Sequence, residues 1–245
     1  MTWDNDQWLS ADRRRDLLIA ANRADLQHQF LRGLSHALGG PMQSLALSLP
    51  EYSGSTGVSS EDVRFILDVA GASLTSLGQI LDTSAEFSRL AIADEAEPVR
   101  VEDLFANLDR FQRFFRTLAR AELVREAGPG LPPLRGSPSA MSHALLAVVL
   151  NAAEAGGGAR RVLVRAEFDP DGLRIVVRDD GPGIPAVDRE RVFAPFVTGK
   201  GAEHRGIGLT VASLLMGEQE GRISVDDPDE GWPGACVVLT APLWG

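Results

Sequence analysis

Between Ala11 and Ile92 the sequence repeats its apolar residues at helical intervals and nowhere offers the alternation of a strand. In the first stretch Leu26, Phe30, Leu34, Leu38, Pro41, Leu45 and Leu49 fall on one helix face. In the second, from about Glu61 to Ile92, Val63, Leu67, Ala70, Leu74, Leu77 and Leu81 follow the alternating spacing of a coiled-coil seam. Pro50 to Ser60, rich in Ser and Gly, predicts the turn between them. Residues 1–97 therefore predict a helical hairpin. A lone hairpin buries too little surface to be stable. The expectation is self-association into a dimeric four-helix bundle, with docking on the rest of the chain as the other solution.

The acidic run Asp94-Glu95-Ala96-Glu97-Pro98 reads as a linker, and residues 98–245 follow a different pattern. Val101 to Ala119 predicts an amphipathic helix with Leu104, Phe105, Leu108, Phe111, Phe115 and Leu118 inward. Gly128 to Pro133 is a loop. Ser137-Pro138 predicts a helix start, an N-cap with proline in the first helical position. That helix should run to about Ala155 and stop at Gly156-Gly157-Gly158. Strands are predicted at Arg161 to Phe168 and Leu173 to Val177, around the turn Asp169-Pro170-Asp171-Gly172. A helix from about Gly208 to Met216 precedes strands at Arg222 to Val225 and Ala235 to Ala241. The expected class is α+β, with helices on one face of a mixed sheet.

Composition narrows the partners. A net charge of -10 argues against nucleic acid or anionic membrane as a main partner. A single cysteine, Cys236, excludes an intrachain disulfide and a cysteine-based zinc site, and fits a reducing, cytoplasmic location. No run approaches the ~20 apolar residues needed to span a bilayer, so no membrane insertion is expected. Met1 to Ser10 is polar and has no signal-peptide core. Trp3 and Trp8 read as part of an ordinary helix start. Input is therefore expected through Met1 to about Arg23 or through a separate sensor or input protein.

Function begins at the end of the strand Leu173 to Val177, in Val177-Arg178-Asp179-Asp180-Gly181-Pro182-Gly183-Ile184-Pro185. A carboxylate at a strand end can accept a hydrogen bond from an exocyclic amine such as that of adenine. Glycines beyond it let backbone pass close to a flat ring or a phosphate. An Asp-Gly-Pro-Gly turn is also common between strands, so the context decides.

That context resembles the transmitter core of two-component sensor histidine kinases, over about residues 10 to 242. Phe30-Leu31-Arg32-Gly33-Leu34-Ser35-His36-Ala37-Leu38-Gly39-Gly40-Pro41-Met42 is similar to the family's histidine box. Leu145 to Ala155, with Asn151-Ala152, resembles the N box, and Asp179 to Pro185 the first glycine box. Arg191 to Lys200 is similar to the Phe-x-Pro-Phe box and the Thr-x-Lys run after it, and Gly206-Ile207-Gly208-Leu209 to the second glycine box. The resemblance implies a hairpin that dimerises and carries the phosphorylated histidine, followed by a GHKL or Bergerat-type α/β sandwich that binds ATP and Mg²⁺. It also implies a response-regulator receiver domain as partner.

Each match has a physical reading. His36 lies two residues from both Leu34 and Leu38 and should point away from the seam; outside the box it would be an ordinary solvated histidine. Imidazole has a reference pKa of about 6.5 and is a competent nucleophile near neutrality, so His36 is the candidate catalytic residue. Asn151, near the end of an apolar helix, could ligate Mg²⁺ through its side-chain oxygen or cap the helix. Asp179 would hold the adenine amine, and Gly181 and Gly183 would leave room for the nucleotide. Thr198 and Lys200 belong to a short lid, where Lys200 could meet phosphate or stay solvated. Gly206, Gly208 and Leu209 mark a helix start whose amides favour phosphate oxygens. Phe193 and Phe196 are expected to pack and anchor the lid. His28 has no matching context and reads as a surface residue; His143, in the N-box helix, reads as a packing or surface residue.

Four positions depart from the family pattern. Ala37 replaces the acidic residue after the histidine, Gly40 replaces Asn or Thr, Ala147 replaces a polar residue, and His204 stands for the first glycine of the second glycine box. Loss of a general base slows proton handling by roughly 10²–10⁴-fold. Gly39-Gly40-Pro41 should also weaken or bend the first helix just past His36. The leading expectation is an ATP-dependent histidine kinase that phosphorylates His36 and passes the phosphoryl group to a response-regulator aspartate. The alternatives are a histidine phosphotransfer protein or pseudokinase with a degenerate ATP-binding domain, or another ATPase of the same nucleotide fold.

Overall fold

Helices α1 (Ala11–Ser48) and α2 (Ser60–Arg89) form the expected hairpin. They come from a computed structural model that describes residues 10–48, 59–90, 95–155, 161–199 and 205–245. Trp3, Trp8, the expected turn from Pro50 to Val58, the triplet Gly156 to Gly158, Lys200 and His204 lie outside the described residues. The start of α2 is fixed by a reciprocal cap. The Asp62 amide donates to the Ser59 hydroxyl at 3.1 Å, and the Ser59 amide donates to the Asp62 carboxylate at 3.0 Å. Pro41 lies inside α1, and the Gly39-Gly40-Pro41 run does not interrupt the helix.

The apolar row expected on α1 does face inward, centred on buried Leu26 and Phe30. On α2 the expected row does not. The buried residues are Ser73, Ile80, Thr83 and Phe87, one position away from the predicted seam. Leu67, Leu74 and Leu81 are 65%, 65% and 67% exposed. α2 is apolar on two adjacent faces, and periodicity alone cannot say which of them meets α1.

The hairpin docks on the second unit through phenylalanines. The rings of Phe30 and Phe87 stack at 4.1 Å, Phe114 tilts against Phe30 at 4.8 Å, and Phe111 meets Phe87 edge-on at 5.4 Å. Gly33 lies against the backbone of Phe114 so closely that an added Cβ would overlap the carbonyl there. Helix α3 (Val101–Gln112) supplies Phe111 and ends earlier than its periodicity predicts. Phe114 and Phe115 are both fully buried, although the helix ends before them. The chain turns at Arg113, and Leu118 is buried from a short 3-10 turn.

Past β1 (Glu97–Val99) and α3, the second unit is a sheet covered on one face by helices. Strand β1 pairs with β3 (Leu134–Gly136) in a separate antiparallel ribbon. The main sheet runs β2 (Glu122–Ala127), β4 (Arg161–Asp169), β5 (Gly172–Asp179), β7 (Cys236–Ala241), β6 (Arg222–Asp226) in spatial order. Only β2 and β4 are parallel. Helix α4 (Pro138–Ala153) is buried along nearly its whole length between the sheet and α5 (Gly208–Glu218). Its start is the expected one, with the Ala140 amide donating to the Ser137 hydroxyl at 3.1 Å. The opposite sheet face carries Val176, Cys236 and Val238 beneath arginines. Arg178 donates to the Cys236 sulfur at 3.5 Å and pairs with Asp229 at 2.6 Å; Arg174 pairs with Asp226 at 2.6 Å.

Candidate active site

Asp179 closes β5 and is 2% exposed. A carboxylate this deep must be hydrogen-bonded to remain there. Its Oδ1 accepts from the Gly181 amide at 2.9 Å and from the Ala235 amide at 3.2 Å. The strand end is thus tied both to the turn that follows it and to the start of β7. The Asp180 carboxylate accepts from the Arg161 amide at the start of β4 at 3.1 Å.

The glycines beyond Asp179 are required by space and by backbone angle. A Cβ at Gly181 would lie 2.8 Å from the Ala155 Cβ and 2.9 Å from Asp179 Oδ1. Gly183 has φ +77, a value that disfavours any side chain. Contact with Ala155 brings the end of α4 to this turn. Asn151, half-buried and one helical turn earlier, stands on the same side of α4.

A second group forms at the other end of the site. Gly208 begins α5, and a Cβ there would lie 4.0 Å from the Ala147 carbonyl oxygen of α4. Leu209 is buried in the core and anchors the helix start. Thr210, in the first turn, has a buried hydroxyl without a hydrogen-bond partner among the described residues. Across the segment before α5 the Phe196 amide donates to the Gly206 carbonyl at 2.9 Å. Gly206 has φ +65, and a Cβ there would meet the Val197 carbonyl oxygen at 2.7 Å. Thr198 is exposed just beyond this point. Phe193 packs on the core as expected, but Phe196 is 71% exposed and has a left-handed backbone, φ 64. Its tie to Gly206 is made by its amide, not its ring.

His36 is exposed on α1 and is not brought to either group. The α1 residue at the start of α5 is Asn22, whose Nδ2 is 4.0 Å from a Cβ at Gly208. Buried Asn22 also pairs through Oδ1 with His143 Nε2 on α4, at 2.9 Å. Burial, aided by the charge of Arg23, lowers the His143 pKa to about 4. His28 is exposed, as expected. Asn22 and Gly234, whose added Cβ would overlap Asp179 Oδ1, were not legible in the sequence. Both act across long separations, with no local pattern to mark them.

The donor set fits a purine nucleotide. It offers a buried acceptor at a strand end, a glycine cradle that side chains would fill, and a helix start with an orphaned hydroxyl. Among the described residues no group of histidines, cysteines and carboxylates could hold a metal by itself. Asn151 beside bound phosphates fits the partial shell that Mg²⁺ accepts.

Residues 136–245 match the family model described as "Histidine kinase-, DNA gyrase B-, and HSP90-like ATPase". The chain is 29% identical over 208 residues to the sensory histidine kinase/phosphatase NtrB of Rhodobacter capsulatus, covering 79% of this chain and 56% of that protein. It is 28% identical over 224 residues to the sensor histidine kinase CpxA of Escherichia coli, covering 89% of this chain and 47% of that protein. The chain thus spans about half the length of these curated relatives. Full-length ShkA in complex with AMPPNP shares the fold at TM-score 0.52 and 22% identity, over 94% of this chain and 45% of that one. The catalytic domain of the histidine kinase ThkA does so at TM-score 0.51 and 20% identity, over 61% of this chain and 97% of that one. With an ATPase domain of this family behind a helical hairpin that bears His36, the chain is similar over most of its length to sensor histidine kinases.

Proposed function

We propose that the chain is a cytoplasmic, homodimeric histidine kinase that phosphorylates itself on His36 from ATP and hands the phosphoryl group to a receiver-domain aspartate. Residues 1–97 would dimerise and carry the acceptor, and residues 98–245 would bind the nucleotide. The observation that carries this reading is the buried Asp179, its Oδ1 held by two backbone amides beside glycines that no side chain could replace.

In this mechanism Asp179 accepts the adenine amine, and Gly181 and Gly183 let the backbone approach the ring. Amides at Gly208, Leu209 and Thr210 receive phosphate oxygens, supported by the positive end of α5. Thr198, Lys200 and Gly206 belong to the lid over them. Asn151 would hold Mg²⁺, which neutralises phosphate charge as the terminal bond breaks. The His36 lone pair forms the N–P bond while the β–γ bridging bond breaks, its electron pair leaving with ADP. A receiver carboxylate then attacks the same phosphorus, and the imidazole leaves. Ala37 supplies no carboxylate to orient the ring, so capture should be slow.

In the arrangement described, Asn22 occupies the start of α5 and His36 lies about 20 Å farther along α1, at 1.5 Å per residue. Autophosphorylation therefore requires the hairpin to shift on the ATPase domain, or a partner subunit to present its own histidine. Ala37 also favours a second reading, a phosphotransfer protein that receives its phosphoryl group from elsewhere. Incubation with γ-labelled ATP and Mg²⁺ decides between them. The kinase reading expects acid-labile, base-stable label that is lost in His36→Gln. Folded, dimeric protein that takes up no label would support the phosphotransfer reading instead.

A further inference from the structure

The connection between β6 and β7, residues 227–235, enters the function proposed above only through the Ala235 amide, yet its whole length is built against the base pocket. Three arginines tie it down from different elements. Arg189, just past the first glycine turn, pairs with Asp227 at 2.7 Å; Arg178 of β5 pairs with Asp229 at 2.6 Å; the Arg161 guanidinium lies 4.4 Å from the centre of the Trp232 ring. The hydrogen bond from Arg178 holds the Asp229 carboxyl below its ordinary range.

The connection ends against Asp179. The Gly234 amide donates to the Asp179 carbonyl at 3.1 Å, and the Ala235 amide donates to Asp179 Oδ1 at 3.2 Å. A Cβ at 234 would overlap Asp179 Oδ1 and the Asp179 carbonyl oxygen, and would lie 2.7 Å from the Gly181 nitrogen. On its far side the same residue abuts Gly183, where a Cβ would lie 3.4 Å from the Gly234 carbonyl oxygen. No other residue type fits between both ends of the glycine turn.

We propose that Gly234 is a positioning residue: by admitting the β6–β7 connection against Asp179 it fixes the carboxylate's orientation, and so sets the preference for a 6-aminopurine over a 6-oxopurine. The inference rests on the reading of Asp179 as the adenine acceptor.

The test is calorimetric binding of ADP and of IDP, each with Mg²⁺, to the wild type and to Gly234→Ala. Wild type should favour ADP by roughly tenfold or more, because a site built around a hydrogen bond rejects a partner that cannot make it. In Gly234→Ala that ratio should fall toward one. A variant that loses affinity for both nucleotides equally, keeping the ratio, would overturn the proposal, since a merely structural glycine behaves that way. A wild type without preference would overturn the reading of Asp179 and the inference with it. Should Gly234→Ala fail to fold, amide exchange in the wild type decides. The Ala235 amide should be protected more by ADP than by IDP, and equal protection would refute the proposal.

Discussion

His143 is buried within α4 and hydrogen-bonded to Asn22, which lies 121 residues earlier in the chain. Its pKa is lowered to about 4 by burial and by Arg23, so the folded chain binds this proton less tightly than the unfolded chain does. Stability from this site is therefore complete above about pH 6.5 and is lost as pH falls toward 4, by about 3 kcal/mol at the end of that window. Denaturant midpoints of wild type should drop between pH 7.5 and 4.5, and those of His143→Gln should drop less. Parallel curves would mean that His143 does not limit acid stability. The sequence allowed packing as one role for His143 but gave no hint of the partner, because a contact between distant helices leaves no local spacing. Asp179 was legible for the opposite reason. Its carboxylate, its strand and its glycines are contiguous, so the chemistry is written in one short run.

The three glycines of α1 near His36 have opposite meanings. Among the described residues, nothing beyond their own helix backbone lies within 4 Å of a Cβ added at Gly39 or Gly40, whereas a Cβ at Gly33 would overlap the Phe114 carbonyl. Alanine at 39 or 40 should therefore stabilise the protein by about 1 kcal/mol each. Alanine at 33 should loosen the hairpin from the ATPase domain, seen as faster amide exchange at Phe111 to Phe115. Equal thermal shifts for all three variants would refute this distinction. At this scale the sequence marked the buried face of α1 but not that of α2, and the bounds of the long helices but not of α3. The buried row of α1 was read from its spacing. α3 was read as too long, because apolar residues at Phe115 and Leu118 continue its period past Gln112, where the helix ends. β2 was missed because its charged residues, such as Glu122 and Arg125, alternate with few apolar ones, and it is a strand only through its pairing with β4. β1 and β3 have three residues each, too few for any period to register.

The molecule as a whole presents one face of the hairpin to its own ATPase domain and leaves another uncovered. Leu67, Leu74 and Leu81 make an exposed leucine stripe along α2, at the spacing a second helix can interlock with. Aspartate at Leu74 and Leu81 should shift sedimentation to the monomer while ADP binding is kept; an unchanged dimer would place the interface elsewhere. Both solutions foreseen for a lone hairpin can thus coexist, because docking uses Phe30 and Phe87 and leaves the stripe free. Docking was the less legible of the two, since its phenylalanine cluster is gathered from three helices that are separate in sequence. The outer face of the sheet holds a different kind of information. Cys236 is the chain's single cysteine, buried beside the base pocket under the Arg178 guanidinium. An alkylating reagent reaches that sulfur only when the Arg178 cover swings aside or β7 itself moves. The unaltered protein thus carries its own stopwatch, and the rate at which iodoacetamide consumes the thiol counts how often this outer face of the sheet opens.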